Sequence, residues 1–142
     1  MKNLINNHKR ILSRINRLSE GFEPHWGEMT VAQMFCHCTD QLNFSMNASN
    51  QPKTSLWGRT FLKWKVLRTD LPYNIGWVEN NGRKPESFEM DKAHLIDSIH
   101  LFLQKSEDSK WAKHPIFGTL TKKEWGRIAY KHLNSHLNQF GA

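Results

Sequence analysis

Only two cysteines occur in the 142-residue chain, Cys36 and Cys38. Two positions apart on a helix, their side chains point about 200° from one another, which rules out a disulfide between them. A disulfide-stapled secreted domain is thereby excluded, and a reduced, cytoplasmic protein is expected. Long apolar runs are also missing. The opening stretch MKNLINNHKRILSRINRL has a charge or an amide every few residues, so it reads as neither a signal peptide nor a membrane span. The sequon Asn47-Ala48-Ser49 then carries no meaning. No repeat, low-complexity tract or internal boundary interrupts the chain, and residues 1–142 read as one domain. No pair of runs alternates in the manner of strands.

Acidic residues are the third scarcity: thirteen Asp and Glu face twenty Lys and Arg, a formal charge of +7. Such a balance permits acidic ligands or nucleic acid as partners. The basic residues are scattered, however. Lys9, Arg10, Arg14 and Arg17 lie early, Arg59, Lys63, Lys65 and Arg68 in the middle, and Lys122, Lys123, Arg127 and Lys131 late. Without a reader motif or an interleaved stacking platform, nucleic acid is not the expected partner. A small-molecule substrate is, and no membrane association is expected.

What the chain does have is large apolar area, from six Trp and eight Phe, arranged at helical spacing. Leu4, Ile11, Ile15 and Leu18 form one stripe over residues 2–20, which Gly21 is expected to end. Thr30 with Gln33 makes a capping box for a second helix to about Ala48. Its core stripe is Val31, Phe35, Cys38 and Leu42, flanked by Met34, His37, Gln41 and Phe44. Residues 49–88 are the least regular part. Within them Ser55 to Arg68 reads as a short helix with Trp57, Phe61, Trp64 and Leu67 on one face. Turns follow at Pro72, Asn74-Ile75-Gly76, Asn80-Asn81-Gly82 and Pro85, and a connection this long reads as a lid or pocket wall. Residues 89–106 are helical again, with Leu95, Ile99 and Phe102 in line. After His114-Pro115-Ile116-Phe117-Gly118, a rigid connector, Thr121 with Glu124 caps a last helix to about Phe140. The expected fold is all-α: a four-helix bundle with one short extra helix in the long connection between its second and third major helices.

On the last helix His132 and His136 are four residues apart, one turn or about 6 Å along one face. Both fall on the bundle-facing side, where each ring nitrogen needs a partner. Two imidazoles so placed can share one ion at about 2.0–2.1 Å from each nitrogen. Among the six remaining histidines, His37 is the natural third ligand, because it flanks the core stripe of the second helix. Cys36 and Cys38 point away from His37 and read as small buried side chains. His8 reads as a packed or solvated residue near a helix end, and His94 and His100 as surface residues. Trp26 and His114 read as clamps beside helix starts, Gln139 as a cap of the last turn, and Asp40 as the one acidic side chain near His37.

Two motifs carry a resemblance to a known family. The run Trp26-Gly27-Glu28-Met29-Thr30-Val31-Ala32-Gln33-Met34-Phe35-Cys36-His37 resembles the second-helix motif of the DinB/YfiT-like superfamily, in its branch of small bacterial proteins of unknown function. The tail His114-Pro115-Ile116-Phe117-Gly118, Glu124-Trp125-Gly126 and Lys131 to Gly141 is similar to that branch's C-terminal signature. The resemblance implies a bundle, often homodimeric, and a metal triad on His37, His132 and His136. It departs at Ser135, where relatives commonly have His, and at Asn138, where they have Arg. Three neutral imidazoles suit Zn, Ni, Cu or Fe, with Zn or Ni the leading assignments, and leave a ligand position open. The activities that the resemblance implies are metal-dependent transfer of a low-molecular-weight thiol to an electrophile, the preferred expectation, and metal-dependent isomerisation or hydrolysis. The alternatives are a hydrolase using metal-activated water, or a metal-stabilised binding module with no catalytic role.

Overall fold

The computed structural model describes residues 1–69 and 84–142. The turns expected at Pro72, Asn74-Ile75-Gly76 and Asn80-Asn81-Gly82 lie outside the described residues. The described chain is mostly helical: α1 spans Leu4–Arg17, α2 Val31–Met46, α3 Lys63–Arg68, α4 Phe88–Gln104 and α5 Lys122–Gln139. A single π-helical turn, Gly58–Leu62, leads into α3. None of the described helices is long and apolar enough to cross a membrane.

Each long helix starts where a side chain satisfies its first free N–H groups. Asn3 Oδ1 accepts from Ile5 N at the start of α1, and Ser87 Oγ accepts from Met90 N at the start of α4. Both expected capping boxes form. Gln33 N donates to Thr30 Oγ1 at 3.1 Å while Thr30 N donates to Gln33 Oε1 at 2.8 Å. Glu124 N donates to Thr121 Oγ1 at 3.2 Å while Thr121 N donates to Glu124 Oε2 at 2.9 Å. The first helix stops earlier than Gly21 would place it. Leu18 leaves the helix in an extended conformation and buries its side chain in the core, so burial rather than glycine sets the end.

Helix directions follow from contacts near their ends. Asn3 Nδ2 donates to Lys123 O, while the Arg14 guanidinium reaches Asn134 and Asn138, so α1 and α5 run parallel. Cys36 meets Asp91, and Ser98 meets Asn43, so α2 and α4 also run parallel. A parallel pair has to be joined by a connection that returns the chain to its starting end, and residues 47–87 make that connection. The α1–α2 connection meets the end of α5: His25 N donates to Gln139 O at 2.7 Å. Helices α2 and α5 are therefore antiparallel. The stripes read from the sequence form one apolar core, from Leu4 and Ile11 through Phe35 and Leu42 to Ile99, Phe102, Trp125 and Leu137.

One expectation, the absence of paired strands, needs correction. A short strand pair does exist, Lys113–His114 against Gly118–Thr119. With two residues in each strand there is no alternation to read; it is held by a turn in which Gly118 takes a φ of 73°. The aromatic face of the short helix is not buried as a unit. Leu67 packs inside, but Trp57 is 64% and Trp64 56% exposed, with Phe61 exposed beside them. Helical spacing identifies a common face, not what covers it.

Candidate metal centre

Positions His37 on α2 and His132 and His136 on α5 come together where these antiparallel helices face one another. The ring centroids are 4.7 Å apart for His37–His132, 4.9 Å for His37–His136 and 4.7 Å for His132–His136. His37 Nε2 and His132 Nε2 lie 2.8 Å apart. One ligand nitrogen from each residue can be chosen so that all three lie within 4.8 Å of one another. Nitrogens bound at about 2.0–2.1 Å to one ion must lie within roughly 4 Å of each other, so small side-chain rotations bring the three onto one ion. His132 is buried, and the other two are half-buried, as a site open on one side requires.

The environment keeps these rings neutral. Burial, with a smaller contribution from His136, lowers the His37 pKa from 6.5 to about 4. Burial also places His132 well below its ordinary value, with His136 and His37 adding to the effect. For His136 burial lowers the pKa and a hydrogen bond to Gln139 partly offsets this. Neutral imidazole is the form that binds metal. Three neutral imidazoles thus form a chemically uniform donor set at neutral pH.

A partner that spacing did not reveal holds His136. Its Nδ1 donates to Gln139 Oε1 at 3.0 Å, and Gln139 Nε2 donates in turn to Trp26 O at 2.9 Å. The proton on Nδ1 leaves the His136 Nε2 lone pair available, which binding of an ion through Nε2 would require. Gln139, expected as a cap of the last turn, is thus a bridge between His136 and the chain before α2. Gly27 leaves room for it: a Cβ there would lie 3.1 Å from Gln139 Nε2. Its sequence signal was a Gln three residues after a histidine at a helix end, too common to stand out. Trp26 contributes its backbone carbonyl, while its ring is exposed.

The remaining residues singled out from sequence stand outside this cluster. Asp40 is half-buried and is not among the grouped ligands. Cys36 Sγ donates to Asp91 Oδ1 at 3.2 Å, and burial pushes the Cys38 thiol far above its ordinary value, so neither cysteine is set up as a thiolate. His114 is fully buried in the 113–119 turn. Its Nδ1 accepts from Ile116 N at 3.0 Å and Phe117 N at 3.1 Å, and burial lowers its pKa to about 3. His8 Nδ1 meets Ile5 O within its own helix at 2.7 Å. Asn138, at the position where the resemblance expects an arginine, accepts from Arg14 instead.

A family model described as a protein of unknown function, DUF1569, matches residues 2–142. The chain belongs to the DUF1569 family. No curated protein matches this DUF1569 chain, and no solved structure does. Within the family match, which spans both helices of the cluster, the three histidines are the one group of His, Cys, Asp and Glu among the described residues that could hold a metal ion.

Proposed function

We propose that this DUF1569 protein is a metal-dependent enzyme of the DinB/YfiT-like kind, in which a divalent transition metal held by His37, His132 and His136 activates a low-molecular-weight thiol for transfer to an electrophilic small molecule. The observation that carries the reading is the convergence of three neutral imidazoles from two helices, with His136 already oriented by Gln139. The parallel and antiparallel helix pairs support reading the four long helices as a four-helix bundle, with α3 as the extra element of the long connection.

The residues present fit the ion. Three neutral ligands leave its full charge and at least one position open, the pattern of catalytic rather than structural sites. Bound there, a divalent ion supplies Lewis acidity that favours the thiolate form of a thiol. Burial disfavours protonation of the three histidines, so each stays neutral, with one nitrogen able to serve as a donor. The net charge of +7 raises the local concentration of anionic ligands. In the transfer itself the thiol proton leaves to solvent, the sulfur lone pair forms a bond to the electrophilic carbon, and the leaving group departs with its bonding electrons. Zn or Ni fits an all-nitrogen set.

Metal analysis of protein purified without an affinity tag tests the site. About one equivalent is expected, lost in His132→Ala and His136→Ala; full retention in both variants would overturn it. Incubation with small thiols and a panel of electrophiles, in metal-loaded and stripped protein, tests the reaction. Metal-dependent consumption of the electrophile with thioether formation is expected. Hydrolysis of the panel without thiol consumption would replace the transferase reading with a hydrolase.

A further inference from the structure

A polar group buried without a partner pays its full desolvation cost, and folded proteins hold few of them. Among the described residues, four buried side-chain atoms lack a hydrogen-bond partner: both amide atoms of Gln41, Nδ1 of His132 and Nε of Arg127. All four lie on the helix pair that carries the cluster, and three of them belong to Gln41 and His132. Gln41 is 1% exposed. Its polar neighbours on α2 are satisfied locally, Thr39 Oγ1 donating to Phe35 O and Ser45 Oγ to Leu42 O. Gln41 is the exception on its helix.

Its position follows from helix direction. Gln41 lies one turn beyond His37, about 6 Å further along α2 and on a similar bearing. Because α5 runs the other way, moving on from His37 along α2 means moving back along α5, away from His136 and toward His132 and Ala129. The unpartnered amide is therefore level with the ring whose Nδ1 is unpartnered.

The chemistry of the two is complementary. A neutral imidazole carries one proton, and a ring offering Nε2 to an ion must carry it on Nδ1, where it needs an acceptor. The 2.8 Å approach of His37 Nε2 to His132 Nε2 requires a hydrogen on one of them. Coordination through both Nε2 atoms requires one on neither. For His136 the acceptor is the Gln139 amide oxygen.

We infer that Gln41 is the positioning residue of His132: in the metal-loaded protein its Oε1 accepts from His132 Nδ1–H, directly or through one buried water. The inference rests on the three-histidine reading of the site. A carboxamide then fixes the tautomer of each ligand on α5, one reaching from the adjacent helix and one from α5 itself.

Gln41→Leu and Gln41→Glu, compared with wild type and His132→Ala, test this with Zn2+ as the probe. Gln41→Leu removes two unsatisfied atoms, so without metal it is expected to resist urea at least as well as wild type. Its Zn2+ affinity, measured by chelator competition, is expected to fall roughly 10- to 100-fold. Gln41→Glu keeps an acceptor oxygen and is expected to retain wild-type affinity. In the Zn2+-loaded wild type, 15N shifts should report His132 protonated on Nδ1, with that N–H protected from exchange in wild type and exposed to it in Gln41→Leu. Unchanged affinity in Gln41→Leu overturns the inference, as does equal loss in both Gln41 variants or a metal-free Gln41→Leu protein that is destabilised. If His132→Ala also binds Zn2+ normally, the metal site itself fails; if only His132→Ala loses the ion, the site stands and the role of Gln41 falls.

Discussion

A histidine can be a good ligand for reasons that lie outside its own ring. In His136 the nitrogen free to meet an ion is defined by what happens at the opposite one, where Gln139 Oε1 accepts a hydrogen bond from Nδ1–H. The same amide donates to Trp26 O, so the ring orientation is tied to the backbone ahead of α2. Gln139→Leu is expected to weaken metal binding roughly 10- to 100-fold while leaving the metal stoichiometry at saturation unchanged. Chelator competition measures the first and metal analysis the second; an unaltered affinity would reduce Gln139 to a packing residue. His132 and His136 were legible in the sequence because a four-residue step is a geometric statement on a helix. Gln139 was not, because its role depends on a carbonyl 113 positions away in the chain.

Among the helices, the starts were more legible than the ends. Thr30 with Gln33 and Thr121 with Glu124 announce helix starts through local chemistry that needs no tertiary partner, and both formed where expected. The end of α1 is set by burial of Leu18, and the exposure of Trp57 and Trp64 by what packs elsewhere; neither is encoded within a turn of the residue concerned. A close approach between helices was equally hidden. A Cβ on Gly126 would lie 2.4 Å from Asn3 Oδ1, the atom that caps α1 and belongs to the side chain tying it to Lys123 O. Gly126→Ala is expected to destabilise the protein by about 1–3 kcal/mol in urea denaturation, against the helix-propensity gain of nearly 1 kcal/mol that alanine brings. In an Asn3→Ala background the same substitution should cost much less, since the clash is gone. Additive losses would show that the contact is not what excludes a side chain at Gly126.

Over the whole molecule, the buried histidines make stability depend on pH. Folding lowers His37 from 6.5 to about 4 and His114 to about 3, and lowers His132 and His136 as well. The unfolded chain thus takes up protons first as pH falls below 6.5, which stabilises it relative to the fold. Stability is expected to be fully present above pH 6.5 and to decline toward pH 4, with a slope of up to about 1.4 kcal/mol per pH unit for a fully buried histidine such as His114. Thermal melts across that range measure it, and a flat profile between pH 7 and 5 would contradict the burial of these rings. Bound Zn2+ should raise stability where the ligands are neutral and lose that effect as acid protonates them.

The distance between His37 and His132 along the chain, 95 positions, also dictates an order of events. Helices α2 and α5, which contribute Phe35 and Leu42 and Ile128 and Leu133 to the shared core, have to pack before the rings can meet. A zinc finger cannot fold until its ion arrives; an ion held by rings from two helices of a common apolar core would bind after assembly and exchange like a ligand rather than serve as scaffolding.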